Sequence, residues 1–166
     1  MLEPDFMLES AYLASPEFLT KHNIKAILVD LDDTIVASKS DYIDEHYRVW
    51  INNLKESGIP LLILSNGSPK RVKYWTQELG LEGFYLVGKP FSFAFKRALN
   101  LLNCSAKETA MIGDQVFTDI LGANLAGLKS ILVRPLSPGG LWHTRILRNI
   151  EKLILKGEYN ARIINW

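Results

Sequence analysis

The stretch Ala26-Ile27-Leu28-Val29-Asp30-Leu31-Asp32-Asp33-Thr34 constrains the fold of this chain more than any other. Four apolar residues without polar alternation run straight into a cluster of acids. Such a run is the pattern of a strand covered on both faces, as in the middle of a parallel sheet. Unpaired carboxylates cannot stay in that interior, so Asp30, Asp32 and Asp33 must emerge at the carboxyl end of the strand. In open α/β sheets that end is where ligands bind. Asp30 and Asp32, with Leu31 between them, can face one pocket, one to attack and the other to handle a proton. A cation is needed if both are to stay ionised.

The chain around this stretch alternates strand and helix. Residues 1–23 mix apolar side chains with Glu3, Asp5, Glu9 and Glu17 and read as a loose arm or short helix against the domain. After a polar loop at 35–40, Asp41 is the expected N-cap of a helix whose inner face is Ile43, Tyr47, Trp50, Ile51 and Leu54, closed by Gly58. Residues 60–64 form a second buried strand ending in Ser65-Asn66-Gly67-Ser68. Ser68 followed by Pro69 is an N-cap with proline at the first helical position, and that helix carries Val72, Trp75 and Leu79 inward and stops at Gly80. A short third strand at 84–87 leads into Gly88-Lys89-Pro90, then a helix over 92–103. A fourth strand at 109–112 ends in Gly113-Asp114. A helix over 116–126 closes at Gly127, and a fifth strand spans 130–133. Five strands alternating with helices on short connections predict a parallel sheet with helices on both faces.

Length and composition narrow the class. At 166 residues the chain is expected to be a single domain, with an arm at 1–23, a catalytic core at 24–134 and a helical extension at 135–166. A net charge of +1 gives no sign of a nucleic-acid-binding surface. The one cysteine, Cys104, excludes an internal disulfide, and the three histidines lack zinc-ligand spacing. No apolar run has membrane-spanning length, and the acids before Lys21 have the wrong charge for a signal or transit peptide, so a cytoplasmic location is expected.

The strand ends collect the chemistry. The first supplies Asp30 and Asp32, the second Ser65 and Asn66, the loop after the third Lys89, and the fourth Asp114, with Asp119 in the following turn. In a parallel sheet all of these lie on one edge. Two carboxylates about 4 Å apart repel by roughly 4 kcal/mol at an effective dielectric near 20. A divalent cation offsets this, and the ammonium, hydroxyl and helix-start amides suit a phosphate. Any one of these residues alone would read as a turn, cap or solvated side chain; the combination at four successive strand ends would not.

Asp30-Leu31-Asp32-Asp33-Thr34, Ser65, Lys89 and Gly113-Asp114 through Asp119 resemble the four-motif signature of the haloacid dehalogenase-like (HAD) hydrolase superfamily, across residues 26–134. The resemblance implies a Rossmann-like three-layer α/β sandwich with five parallel strands in the order 5-4-1-2-3. It also implies Mg2+-dependent phosphatase chemistry through an aspartyl phosphate. Asp30 would be the nucleophile and Asp32 the general acid/base, lending its backbone carbonyl to the metal. Ser65 and Lys89, with Asn66 beside them, would hold the phosphoryl group. Asp114 would join Asp30 and Asp32 as a metal ligand, and Asp119 would support it or Lys89. A carboxylate nucleophile needs a base to release its intermediate, so Asp32 favours a phosphatase over a pump or dehalogenase.

The gaps 34–60 and 65–89 hold no cap domain, so the site is expected to be open and suited to a large or surface-presented substrate, or to need a partner to close it. The flanks Lys70-Arg71-Val72, Gly-Lys-Pro and Ile-Gly-Asp-Gln, with residues 118–124 after them, are similar to the YqeG-like bacterial branch of subfamily IIIA. That branch is similar to the phosphatidylglycerophosphate phosphatases of mitochondria and plastids, which implies a lipid head group at a membrane surface as the substrate. The alternatives are soluble nucleotides or sugar phosphates, or a non-catalytic binding module on the same fold. Asp33 departs from the branch, which usually has Asn there. A last helix at 141–156 sets Leu141, Trp142, Ile146, Ile150, Leu153 and Ile154 beside Arg145, Arg148, Lys152 and Lys156. It is expected to pack on the core; lying on an anionic membrane is the competing reading.

Overall fold

The computed structural model describes residues 1–137. The expected helix at 141–156, and with it the choice between core and membrane, lies outside them. Six parallel strands form one sheet: β1 (Phe6–Leu8), β2 (Ala26–Val29), β3 (Leu61–Leu64), β4 (Glu82–Phe84), β5 (Thr109–Gly113) and β6 (Lys129–Val133), in the order β1-β6-β5-β2-β3-β4. Apart from β1, this is the expected five-strand order with the acid-bearing strand at the centre. Helices α1 (Pro16–Lys21), α2 (Glu45–Glu56), α3 (Pro69–Leu79), α4 (Ser92–Leu102) and α5 (Leu121–Ala126) complete the architecture.

Strand alternation sorts the core into two faces. Ile27, Val29, Ile63, Ile112 and Ile131 face one way and pack with Leu19 of α1, Trp50, Ile51 and Leu54 of α2, and Val72 and Trp75 of α3. Leu28, Leu62, Leu64 and Met111 face the other way, against Ala94, Phe95 and Ala98 of α4 and Ala123 of α5. The result is the expected three-layer sandwich. Because the strands all run parallel, the ends of β2, β3 and β5 and the loop after β4 converge on the carboxyl edge. Among the described residues the chain between β2 and β3 adds only a loop and α2, and that between β3 and α4 only α3 and β4. Among the described residues no cap domain covers the edge.

Four local readings change. The arm is not loose. Its residues 6–8 pair with Ile131, Leu132 and Val133 as the sixth strand, pinned by Asp5 Oδ2 accepting from the Ser130 amide at 2.9 Å. Helix α2 begins later than expected because Asp44, not Asp41, is its N-cap and accepts the His46 amide at 2.9 Å. The third strand lies earlier, at Glu82–Phe84, because Leu86 takes a left-handed φ of 49° and Gly88 one of 67°, which bends 85–88 out of the sheet. The helix expected over 116–126 opens with a wide π turn at Val116–Ile120 before α5 starts.

The caps of α3 follow the sequence. Ser68 Oγ accepts from the Arg71 amide, Pro69 occupies the first turn, and Gly80 closes the helix at φ 60°.

Candidate active site

The site is built around a buried ammonium. Lys89 Nζ donates to Asp30 Oδ1 and to Asp119 Oδ1, each at 2.6 Å. Asp30 leaves the carboxyl end of β2, Asp119 sits in the wide turn after β5, and Lys89 reaches in from the loop after β4. All three are buried. Breaking a buried pair of this kind by removing one partner costs about 3–5 kcal/mol, so the triad holds three elements together only while it is complete.

Asp114 lies beside it. Carboxylate oxygens of Asp30, Asp114 and Asp119 all fall within 4.8 Å of one another. Thr34 Oγ1, fully buried, donates to Asp114 Oδ1 at 3.3 Å. With three carboxylates ionised against one ammonium, two negative charges remain in excess. Burial raises the pKa of Asp30 and the Asp119 charge adds to it; Lys89 pulls the other way, and the net is a carboxyl pushed up to about 7. Burial pulls Lys89 down, but the two carboxylates outweigh it and hold the ammonium charged, above the ordinary lysine range. Hard oxygen donors with excess negative charge are what a divalent cation of the magnesium class takes, so the donor set fits one.

Backbone choices make this packing possible. A Cβ on Gly113 would lie 2.2 Å from Asp119 Oδ2, so the Asp119 side chain occupies the space a larger residue would need. Asp119 Oδ2 also accepts from the Gln115 amide at 3.1 Å, which fixes the carboxylate from behind.

Ser65, at the end of β3, is buried and its Oγ accepts from the Gly67 amide at 2.9 Å, leaving its proton for another acceptor. Asn66, expected beside Ser65 and Lys89 at the phosphoryl group, also braces the lysine loop. Its amide clamps the Lys89 backbone, accepting from the Lys89 amide at 2.9 Å and donating to the Lys89 carbonyl at 3.3 Å. These two bonds position the lysine loop.

Asp32 stands apart from the triad. Its Oδ1 accepts from Arg71 Nε at 2.6 Å. The other two guanidinium nitrogens donate to the Ser40 and Ala37 carbonyls, each at 3.1 Å. Arg71 thus ties Asp32 to the loop after β2. Sequence reasoning missed this role, because an Arg in the first turn of an amphipathic helix reads as solvated; only its position three residues after the Ser68 cap, facing the edge, hinted otherwise. In the sequence Thr34 and Gly113 stand out only as parts of the motifs that carry Asp30 and Asp114. Asp33 is structural: at φ 63° it accepts from the Ser38 amide at 2.9 Å and the Ser38 hydroxyl at 2.8 Å, and Ser137 also donates to it. Asn shares the tolerance for that left-handed conformation.

Known proteins share this pattern. The sequence pattern of the HAD-hydrolase-like family matches residues 86–135. Probable phosphatase YqeG of Bacillus subtilis is 34% identical over 163 residues, covering 98% of this chain and 95% of that protein. Glyceraldehyde 3-phosphate phosphatase of Pyrococcus abyssi is 37% identical over 89 residues, covering 47% of this chain and 37% of the other. Among solved structures, 3-deoxy-D-manno-octulosonate 8-phosphate phosphatase from Moraxella catarrhalis, in complex with magnesium, phosphate and KDO, superposes with a TM-score of 0.52 at 22% identity. That superposition covers 84% of this chain and 91% of the other, and it shows a shared fold.

Proposed function

Because this chain belongs to the haloacid dehalogenase-like hydrolase superfamily and is a hydrolase of phosphomonoesters, we propose that it works through an aspartyl phosphate formed on Asp30. The observation that carries this reading is Lys89 held between Asp30 and Asp119 at the carboxyl edge of the sheet. An ammonium there neutralises a phosphoryl group and orients the carboxylate that attacks it.

In the first step Asp30 Oδ attacks phosphorus, the ester oxygen leaves, and Asp32 supplies the proton that the leaving oxygen needs. In the second, Asp32 takes a proton from the attacking water, the bond from phosphorus to Asp30 breaks, and phosphate is released. Ser65 and Lys89 hold the phosphoryl oxygens, and Asn66 and Asp119 fix Lys89 for that task. The carboxylates of Asp30 and Asp114 and the backbone carbonyl of Asp32 would hold Mg2+, which when bound supplies charge neutralisation for the cluster and the phosphoryl oxygens.

For the substrate we propose a lipid phosphate of the phosphatidylglycerophosphate kind, met at a membrane surface. The absence of a cap among the described residues supports a substrate whose bulk stays outside the site, and the motif resemblance supports the lipid class. Among the described residues no helix is long and apolar enough to cross a membrane. An assay over phosphatidylglycerophosphate, nucleotides and sugar phosphates, with Mg2+ and with EDTA, tests the proposal. Turnover confined to the soluble esters contradicts the lipid assignment, and no Mg2+-dependent turnover of any of them contradicts the metal-assisted mechanism.

A further inference from the structure

The loop that carries Lys89 has a second feature that phosphoryl transfer does not use. With the first turn of α4 it presents Tyr85, Leu86, Phe91 and Phe93 to solvent at 40%, 64%, 75% and 76% exposure, while Lys89 between them is buried. Two phenylalanines and a leucine left this open on one short segment are unusual on a monomer's surface and mark an interaction site. The loop is not a free tail that could fold them away. The Leu86 amide donates to the Gly67 carbonyl at 3.2 Å, the Val87 amide to the Ser65 carbonyl at 3.4 Å, and the Phe91 amide to the Gly88 carbonyl at 3.0 Å. The same backbone that sets Lys89 in the site therefore holds these side chains outward.

The charges carried by this segment itself are all positive. Residues 84–107 contain Lys89, Lys96, Arg97 and Lys107 and no Asp or Glu. The exposed Lys70 and Lys73 stand in the first turns of the neighbouring α3. Two of these cations stand over rings of this segment: Lys73 Nζ is 5.5 Å from the centre of the exposed Tyr85 ring, and the Arg97 guanidinium carbon 4.3 Å from that of the partly buried Phe84. The acids of this region, Glu78 and Glu82, lie toward the amino edge of the sheet, where α3 ends and β4 begins.

We propose that this loop is a docking surface for an anionic lipid bilayer. Leu86, Phe91 and Phe93 enter the headgroup boundary, and Lys70, Lys73, Lys96 and Arg97 meet the surface charge. Apolar side chains ringed by cations match a target that is apolar within and negative at its face. A second copy of the chain docked patch to patch would set these four cations against their own likeness, which disfavours it. The docking would bring the bilayer to the mouth of the site at Lys89. In its consequence for the substrate, this inference rests on reading Lys89 as the phosphoryl-binding lysine of an open active site.

The test uses the full chain and two variants: Leu86→Ser, Phe91→Ser and Phe93→Ser combined, and Lys70→Gln, Lys73→Gln, Lys96→Gln and Arg97→Gln combined. Each is sedimented with vesicles of phosphatidylglycerol and phosphatidylcholine, and with phosphatidylcholine alone. Hydrolysis of p-nitrophenyl phosphate is followed in parallel. Wild type is expected to sediment with the anionic vesicles only, and either variant to bind them about tenfold or more weakly. Soluble turnover should stay unchanged in both variants, since none of these residues belongs to the catalytic set. Wild type that hydrolyses the soluble ester but ignores anionic vesicles at low salt overturns the docking surface and leaves the phosphatase reading standing. Vesicle binding with no hydrolysis upholds the surface and counts against that reading instead. Binding retained in both variants overturns the assignment, since another segment, such as residues 138–166, must then carry it. A dimer in sedimentation velocity that the serine variant abolishes, without vesicle binding, makes the patch a contact between copies and likewise overturns it.

Discussion

Arg71 Nε donates to Asp32 Oδ1 at 2.6 Å, and the same guanidinium holds the carbonyls of Ala37 and Ser40. The planar fork fixes Asp32 against the loop that follows β2, a task a lysine could not perform with three divergent donors. In the proposed mechanism Arg71 is a positioning residue whose effect on turnover passes through Asp32. Arg71→Ala should lower kcat by about 10–100-fold, the usual cost of removing a group that orients a catalytic side chain. In an Asp32→Asn background the same change should cost little, because coupled residues do not add. Steady-state kinetics of the two single variants and the double variant checks this. Full additivity would mean that Arg71 acts independently of Asp32.

Gly113 and Asp119 compete for one space. A Cβ at 113 would stand 2.2 Å from Asp119 Oδ2 and 2.5 Å from its Cβ. Gly113→Ala should displace Asp119, loosen Lys89 and destabilise the fold by about 1–3 kcal/mol, the range for overpacking a well-filled interior. Urea unfolding measures the stability change, and the accompanying loss of turnover should exceed what the unfolded fraction accounts for.

These relationships mark how far the sequence can be read. The central strand was legible because Ala26 to Val29 has no alternation, and a run of that kind followed by acids has one physical solution. Ser68, Pro69 and Gly80 bounded α3 by local chemistry alone. The first strand was not legible. Residues 6–8 are strand only because Ile131, Leu132 and Val133 pair with them from the far end of the chain, which no local pattern announces. The bend after β4 escaped because Leu86 in a left-handed conformation defies its own propensity. Residue types at the strand ends revealed Asp30, Ser65, Lys89, Asp114 and Asp119, and the structure brings them to one edge. The work of Asn66 and Arg71 depends on which backbone atoms lie within reach, and that is a property of the folded chain.

The acidic cluster predicts a response to metal. Asp30, Asp114 and Asp119 crowd one edge with more negative charge than Lys89 offsets. An ion that binds only the folded state stabilises it by about 2.7 kcal/mol at a hundred times its Kd, which for a domain of this size raises Tm by about 5–10 °C. Mg2+ should produce such a rise in wild type, EDTA should reverse it, and Asp114→Asn should lose most of it. Thermal melts decide this, and an identical Tm in saturating Mg2+ would count against a metal site at Asp114.

The central claim is covalent catalysis at Asp30 with Asp32 as the proton carrier, and phosphoenzyme trapping tests it most directly. Loss of general acid/base help slows turnover by about 10²–10⁴-fold, so Asp32→Asn should hydrolyse p-nitrophenyl phosphate slowly and accumulate phosphorylated protein. The expected result is one phosphoryl group per chain of Asp32→Asn after incubation with substrate and Mg2+, placed on Asp30 by peptide mass spectrometry. Neither label nor turnover should be seen in Asp30→Asn. Near wild-type turnover by Asp30→Asn, or a phosphoryl group on any other residue, would contradict the account.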